Sequence, residues 1–211
     1  MQYVEGIAKI RRALKAPLPG ILAQHLMAPR MRKTTDELLL ENPDHRLSSV
    51  MILLYPDEKG LLSTVFIERP VNESVHSGQI AFPGGKIETS DENPKAAALR
   101  ETEEEIGVPS SAVECIGLLS QLFIPASKFL VIPHVGIITQ TPLFIPNPDE
   151  VKSILRVAVS ELVAIVPDKK VFPTSYGNLE APFYNIQGHS VWGATAMMLS
   201  EFREILKGVG K

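Results

Sequence analysis

The chain has 211 residues, 45% hydrophobic and 21% charged, a balance that suits a folded, soluble domain and excludes wholesale disorder. Lys and Arg number 21 and Asp and Glu 24, so the net charge is −3 and no basic footprint for nucleic acid is present. The single Cys115 excludes an internal disulfide and a cysteine-built zinc site within one chain. No apolar run approaches the ~20 residues of a membrane span, and the first residues lack a secretory pattern, so a cytoplasmic setting is expected.

In chain order, residues 1 to 46 read as a helical and irregular extension of one domain spanning 1–211. Val4, Ile7, Ala8 and Ile10 mark an amphipathic helix that stops at Ala16-Pro17-Leu18-Pro19-Gly20. Ile21 to Met27 suits a second short helix, and the polar, Pro-punctuated stretch from Ala28 to Asp44 a loop or arm. Ser49 to Tyr55 and Leu61 to Ile67 are β-rich runs joined by the turn-like Pro56-Asp57-Glu58-Lys59-Gly60. Gly78 to Phe82, Ala112 to Leu119 and Phe129 to Thr139 predict further strands, with Pro133 pointing to an edge or bulge in the last. Val159 to Val166 fits strand and helix equally. Val191 to Leu206 predicts a final helix, stopped by Gly208, against which Trp192 packs. The sum is a mixed α+β domain with antiparallel hairpins and packed helices.

The helix over Pro94 to Ile106 carries the chemistry. Asn93 suits its N-cap, Pro94 its first position, and Gly107 the left-handed residue beyond its end. At about 100° per residue, Glu101, Glu104 and Glu105 share one face, Leu99, Thr102 and Ile106 a neighbouring one, and Glu103 points to solvent. Like charges at these spacings oppose the helix by about 0.2–0.5 kcal/mol per pair, and the helix dipole opposes acids at this end. A cation should compensate. An all-oxygen ligand set without Cys or His suits Mg²⁺ or Mn²⁺. A merely solvated acidic face is the plainer alternative, weakened here by the Gly84-Gly85 turn and the marked helix stops.

The run Arg100-Glu101-Thr102-Glu103-Glu104-Glu105-Ile106-Gly107-Val108 resembles the signature of the Nudix hydrolase family, with Thr102 at a position that is usually apolar. The box spans about 85–108, with one extra residue between Gly85 and Arg100, so that Asp91 falls where the family's first Glu is usual. That displacement, with Gly78-Gln79-Ile80-Ala81-Phe82-Pro83-Gly84-Gly85 before it, is similar to the coenzyme A diphosphatase-like branch. Pro148-Asp149-Glu150-Val151 and Val191-Trp192-Gly193-Ala194-Thr195-Ala196 add to the likeness, which covers residues 48 to 207. One departure is Glu73-Ser74, where that branch carries Leu-Arg.

The resemblance implies an α/β/α sandwich with a mixed, partly antiparallel sheet. It also implies metal-dependent hydrolysis of a nucleoside-diphosphate derivative, coenzyme A or its acyl form leading, with ADP-ribose or a dinucleotide as rivals. A nucleotide-sensing domain without catalysis is a further rival, against which all three helix carboxylates speak. Gly85, through its carbonyl, and Glu101, Glu104 and Glu105 are the implied metal ligands. Arg100 is implied to orient a carboxylate, and Glu101 or Glu150 to be the general base. Arg69, His76, Gln79 and Gly84 are candidates for substrate contact. A homodimer is a family habit.

Overall fold

A computed structural model describes residues 1–72, 76–174 and 177–208; the Glu73-Ser74 departure lies outside the described residues. Strand β1 (Arg46–Pro56) is apolar on both faces because it is covered on both. Its odd residues Met51, Leu53 and Tyr55 join Val65 and Ile67 of β2 (Leu62–Glu68) under one helix, α4 (Pro94–Ile106). Its even residues Ile52 and Leu54 join the opposite core, built on α1 (Tyr3–Ala13) and the final helix, α6 (Gly193–Gly208). Alternation along a strand thus divides the interior into two cores. The result is an α/β/α sandwich.

The central sheet has eight strands and mixed pairing. β1 runs parallel to β7 (Phe129–Ile137) from Arg46↔Phe129 to Leu54↔Ile137. On its other side β1 changes partner: Leu54 to Pro56 pair with β2, and Ser48 to Val50 with β4 (Gly84–Lys86). Between them, the Met51 amide donates to the Pro83 carbonyl at 2.8 Å. The exchange holds the Gly84-Gly85 turn in the sheet, directly against β1. β3 (Ile80–Ala81) is shorter than the run that predicts it, and β8 (Ser153–Ala158) closes the far side of β2. β5 (Glu114–Leu118) and β6 (Leu122–Ile124) pair with the same side of β7.

Several elements differ from expectation. Pro133 lies in the interior strand β7, not at an edge. Its carbonyl accepts from Leu119, so its donor-less nitrogen faces the break between β5 and β6, where no ladder bond is lost. The arm after Ala28 contains a helix, α3 (Thr35–Glu41), stabilised by a capping box between Thr34 and Glu37. Val159–Ala164 is helix α5. A separate three-stranded sheet, β9 (Asp168–Thr174), β10 (Gly177–Ile186) and β11 (His189–Trp192), takes up the start of the predicted last helix. Trp192 accordingly stacks on Phe172 at 4.2 Å within that sheet. Short α2 (Gly20–Gln24) and the 3₁₀ turn His25–Met27 follow α1. No helix among the described residues is long and apolar enough to cross a membrane.

Candidate active site

Helix α4 begins and ends on local chemistry. Asn93 accepts from the Ala96 amide at 3.0 Å, Pro94 occupies the first turn, and Gly107 adopts φ 71°. Thr102 and Ala98 face the core. This turns Glu101 and Glu105 toward β4, with Glu105 only 1% exposed. Glu103 instead accepts from the Ser110 amide and hydroxyl at 2.8 and 2.7 Å.

The Gly84-Gly85 turn meets these acids at close range. The Gly84 amide donates to Glu105 Oε2 at 2.8 Å, while Glu105 Oε1 is buried with no hydrogen-bond partner. A Cβ on Gly85 would lie 2.5 Å from the Glu101 carboxyl, so only glycine leaves this space open. Glu150 completes the cluster. Ligand oxygens of Glu101, Glu105 and Glu150 lie within 4.8 Å of one another. Glu150 arrives there because the last carbonyls of α4 are capped by the loop between β7 and β8: the Ile145 and Asn147 amides donate to the Ile106 and Glu105 carbonyls at 2.9 and 3.0 Å. It sits in a turn, accepting from the Asn147 amide group at 3.2 Å, and starts no helix.

Burial pushes the Glu105 carboxyl up to about 8, opposed by Arg69 and the Gly84 amide and assisted by Glu101 and Glu150. Burial likewise raises Glu101, against the pull of Arg100. A hard divalent cation fits this place: the donors are all oxygen, and one buried carboxylate oxygen has no hydrogen-bond partner.

The NUDIX domain family model matches residues 45–174. The Escherichia coli (strain K12) protein described as "Uncharacterized Nudix hydrolase NudL" is 32% identical over 163 residues, covering 76% of this chain and 83% of its own. The chain belongs to the Nudix family. Two solved structures share the fold. A Nudix hydrolase from M. Smegmatis, RenU, superposes with a TM-score of 0.53 at 15% identity, over 78% of this chain and 87% of its own. A MutT/nudix family protein from Enterococcus faecalis gives 0.50 at 17% identity, over 84% and 71%. As a Nudix protein the chain is a hydrolase of diphosphate bonds in nucleoside-diphosphate derivatives, a chemistry that uses divalent cations.

Around the Nudix helix the other predicted residues divide into two groups. Arg100 is the hub of one. It donates to Asp91 through Nε and Nη2, both at 3.0 Å, and through Nη1 to Glu101 at 2.9 Å and Glu104 at 2.8 Å. Glu104 is therefore held at the exposed side, outside the three-acid cluster. The second group lines a cavity of about 820 Å³ that Gly84 and Gly85 border. Arg69 donates to the Gly84 carbonyl at 2.9 Å and stands 3.7 Å from Glu105 Oε1. His76, whose pKa burial lowers, meets Gln79 Oε1 at 3.1 Å through Nδ1. Met197 and Met198 fill the core and border the same cavity. Sequence reasoning assigned Asp91 no role. The signal was its position in the displaced motif, nine residues before Arg100, which a loop folding back across the helix start converts into contact.

Proposed function

We propose that the chain hydrolyses coenzyme A or an acyl derivative at its diphosphate, releasing 3′,5′-ADP and (acyl-)4′-phosphopantetheine, with Mg²⁺ or Mn²⁺ as the resident ion. The observation that carries the chemistry is the orphaned, buried Oε1 of Glu105 beside Glu101 and the Gly84-Gly85 backbone. The choice of substrate rests on the Gly78 to Asp91 run and on a cavity roomy enough for a long nucleotide derivative. A bound divalent cation supplies neutralisation of the diphosphate and an acidified water.

The residues themselves have separable tasks. Glu101, Glu104, Glu105 and the Gly85 carbonyl form the ligand set, and the Gly84 amide keeps Glu105 turned toward it. Arg100 fixes Glu101 and holds Glu104 at the rim. Arg69 presents its guanidinium to the phosphate oxygens at the cavity wall. Neutral His76, paired with Gln79, contacts the substrate beside it. Glu101 is committed to Arg100 and the ligand set, which leaves exposed Glu150 to take the proton of the attacking water.

The test is a substrate panel with Mg²⁺ and with Mn²⁺, products resolved by mass: coenzyme A, acetyl-coenzyme A, ADP-ribose, NADH and a diadenosine polyphosphate. Release of 4′-phosphopantetheine and 3′,5′-ADP, abolished in Glu101→Gln, is the expected result. Turnover confined to ADP-ribose or the dinucleotides overturns the substrate. Tight binding without turnover of any of them overturns catalysis in favour of sensing.

A further inference from the structure

The cavity has walls that the diphosphate chemistry does not use. One is supplied by the N-terminal arm, through Pro29 and Arg32, and faces the loop Ile124 to Ser127. Arg32 is half-buried, and its Nη2 donates to the carbonyl of Phe123, the residue at the base of that loop. No carboxylate neutralises it among the described residues; burial alone acts on it and lowers its pKa. The other cations lining the cavity are placed differently. Arg69 is engaged with Gly84 and Glu105, and Lys86 adjoins Gly85 at the acidic cluster. Arg32 is thus a guanidinium taken out of bulk water, without a counter-charge, in a cavity that receives a polyanion.

The local backbone is bent to put it there. Met31 takes φ 60°, unusual for a residue with a side chain, and is fully exposed, while the Arg32 amide closes the turn onto the Pro29 carbonyl at 3.3 Å. Its neighbour Arg30 points to solvent. Across the same cavity, Ser127 has its hydroxyl buried with no hydrogen-bond partner. A planar five-donor cation and an unsatisfied hydroxyl are the groups that recognise phosphate oxygens.

We propose that Arg32, with Ser127, forms a subsite for a phosphomonoester on the nucleoside of the substrate, separate from the diphosphate that is cleaved. This rests on the reading of the cavity as the substrate site. A 3′-phosphate, as on coenzyme A, and a 2′-phosphate, as on a phosphorylated dinucleotide, offer the same chemistry, and the experiment separates them.

Binding of 3′,5′-ADP, 2′,5′-ADP and 5′-AMP is measured by calorimetry on the wild type, Arg32→Gln, Ser127→Ala and, as control, Arg30→Gln. The wild type and the control should bind one bisphosphate about tenfold or more tighter than AMP, the worth of a charge-assisted hydrogen bond. Arg32→Gln should lose that preference and leave AMP binding unchanged. Equal affinity of the wild type for all three, or a preference that survives Arg32→Gln, overturns the subsite. Should Arg32→Gln not fold, Ser127→Ala decides, with a several-fold loss of preference expected and an unchanged preference overturning it. Because the readout is binding, a panel without turnover of coenzyme A refutes the proposed reaction alone, and loss of bisphosphate preference with intact turnover refutes the subsite alone.

Discussion

Arg100 grips Asp91 in a two-pronged ion pair, Nε to Oδ1 and Nη2 to Oδ2, each at 3.0 Å. The same guanidinium reaches Glu101 and Glu104 with its remaining nitrogen, so Asp91 anchors the residue that positions the acids. The Asp91 carboxyl is held below its ordinary range by Arg100 and by the Glu88 amide.

Removing the anchor should therefore act on the reaction more than on the fold. Asp91→Ala is expected to lower activity or divalent-ion affinity about 10- to 100-fold, the usual cost of losing a residue that orients a ligand. Steady-state kinetics beside a metal titration check this. An unaffected enzyme would mean that Glu101 holds its position without Arg100's help.

The two glycines of the turn should fail in different ways. At Gly85 a Cβ meets the end of the Glu101 side chain at 2.5 Å, and that carboxyl can move aside. Gly85→Ala should fold and lose activity about a hundredfold, because the ligand is displaced. At Gly84, with φ 148°, a Cβ meets the Ser49 carbonyl at 2.3 Å and Val50 Cα at 2.5 Å, and backbone cannot yield so cheaply. Gly84→Ala should cost about 3 kcal/mol or more of stability. Denaturant unfolding of both variants separates the cases, and equal stabilities would contradict the assignment.

Glu105 makes the metal-free protein sensitive to alkali. Its carboxyl is raised on folding from 4.5 to about 8, so the native state binds the proton more tightly than the unfolded chain. That contribution is full below the unfolded value and is lost as pH rises through the folded one. In chelator, the wild-type melting temperature should fall between about pH 5 and pH 9, and Glu105→Gln should lack this component. Divalent-ion affinity should rise over the same window, since binding requires the carboxylate. Parallel pH curves for the two proteins would remove Glu105 as the source.

The N-terminal arm is tied to α6 by the buried carboxylate of Glu201, beside a bond from the Ser200 hydroxyl to the Ala23 carbonyl at 2.7 Å. Glu201 accepts from the Gly20 amide at 3.2 Å, Gln24 Nε2 at 3.0 Å and the Ser120 amide and hydroxyl at 3.1 and 2.7 Å. Glu201→Ala removes the acceptor of four donors at once, of which Gln24 is buried and Gly20 and Ser120 partly buried, and should cost about 1–3 kcal/mol. It should also expose the first thirty residues to limited proteolysis ahead of the rest. Global unfolding with no early cleavage would show that the arm is held by its apolar contacts instead.

The bounds of the acidic helix were legible in the residues, because Asn93, Pro94 and Gly107 act within one turn of the groups they satisfy. The alternation of β1 and β2, and the sorting of Glu103 away from Glu101 and Glu105, follow equally from short-range geometry. The family followed from the order of residues along that helix and the turn before it. What the chain order could not reveal is set by distance in space. Glu150 meets the acids only because the loop between β7 and β8 caps the helix carbonyls, and Arg100 divides its bonds between Asp91, Glu101 and Glu104 only once the turn before the helix folds back on it. The β9 to β11 sheet joins strands whose pattern carries Pro173 and Pro182 and many charges, and its edges matter only once Trp192 stacks on Phe172. Arg32 belongs to an arm with no periodicity of its own, and it becomes a cavity residue through packing against a loop some ninety residues away. Local rules select helices, turns and the faces that acids take. Which groups are desolvated, paired or left without a partner is decided by what the rest of the chain brings beside them, since burial and charge act through space and not along the sequence.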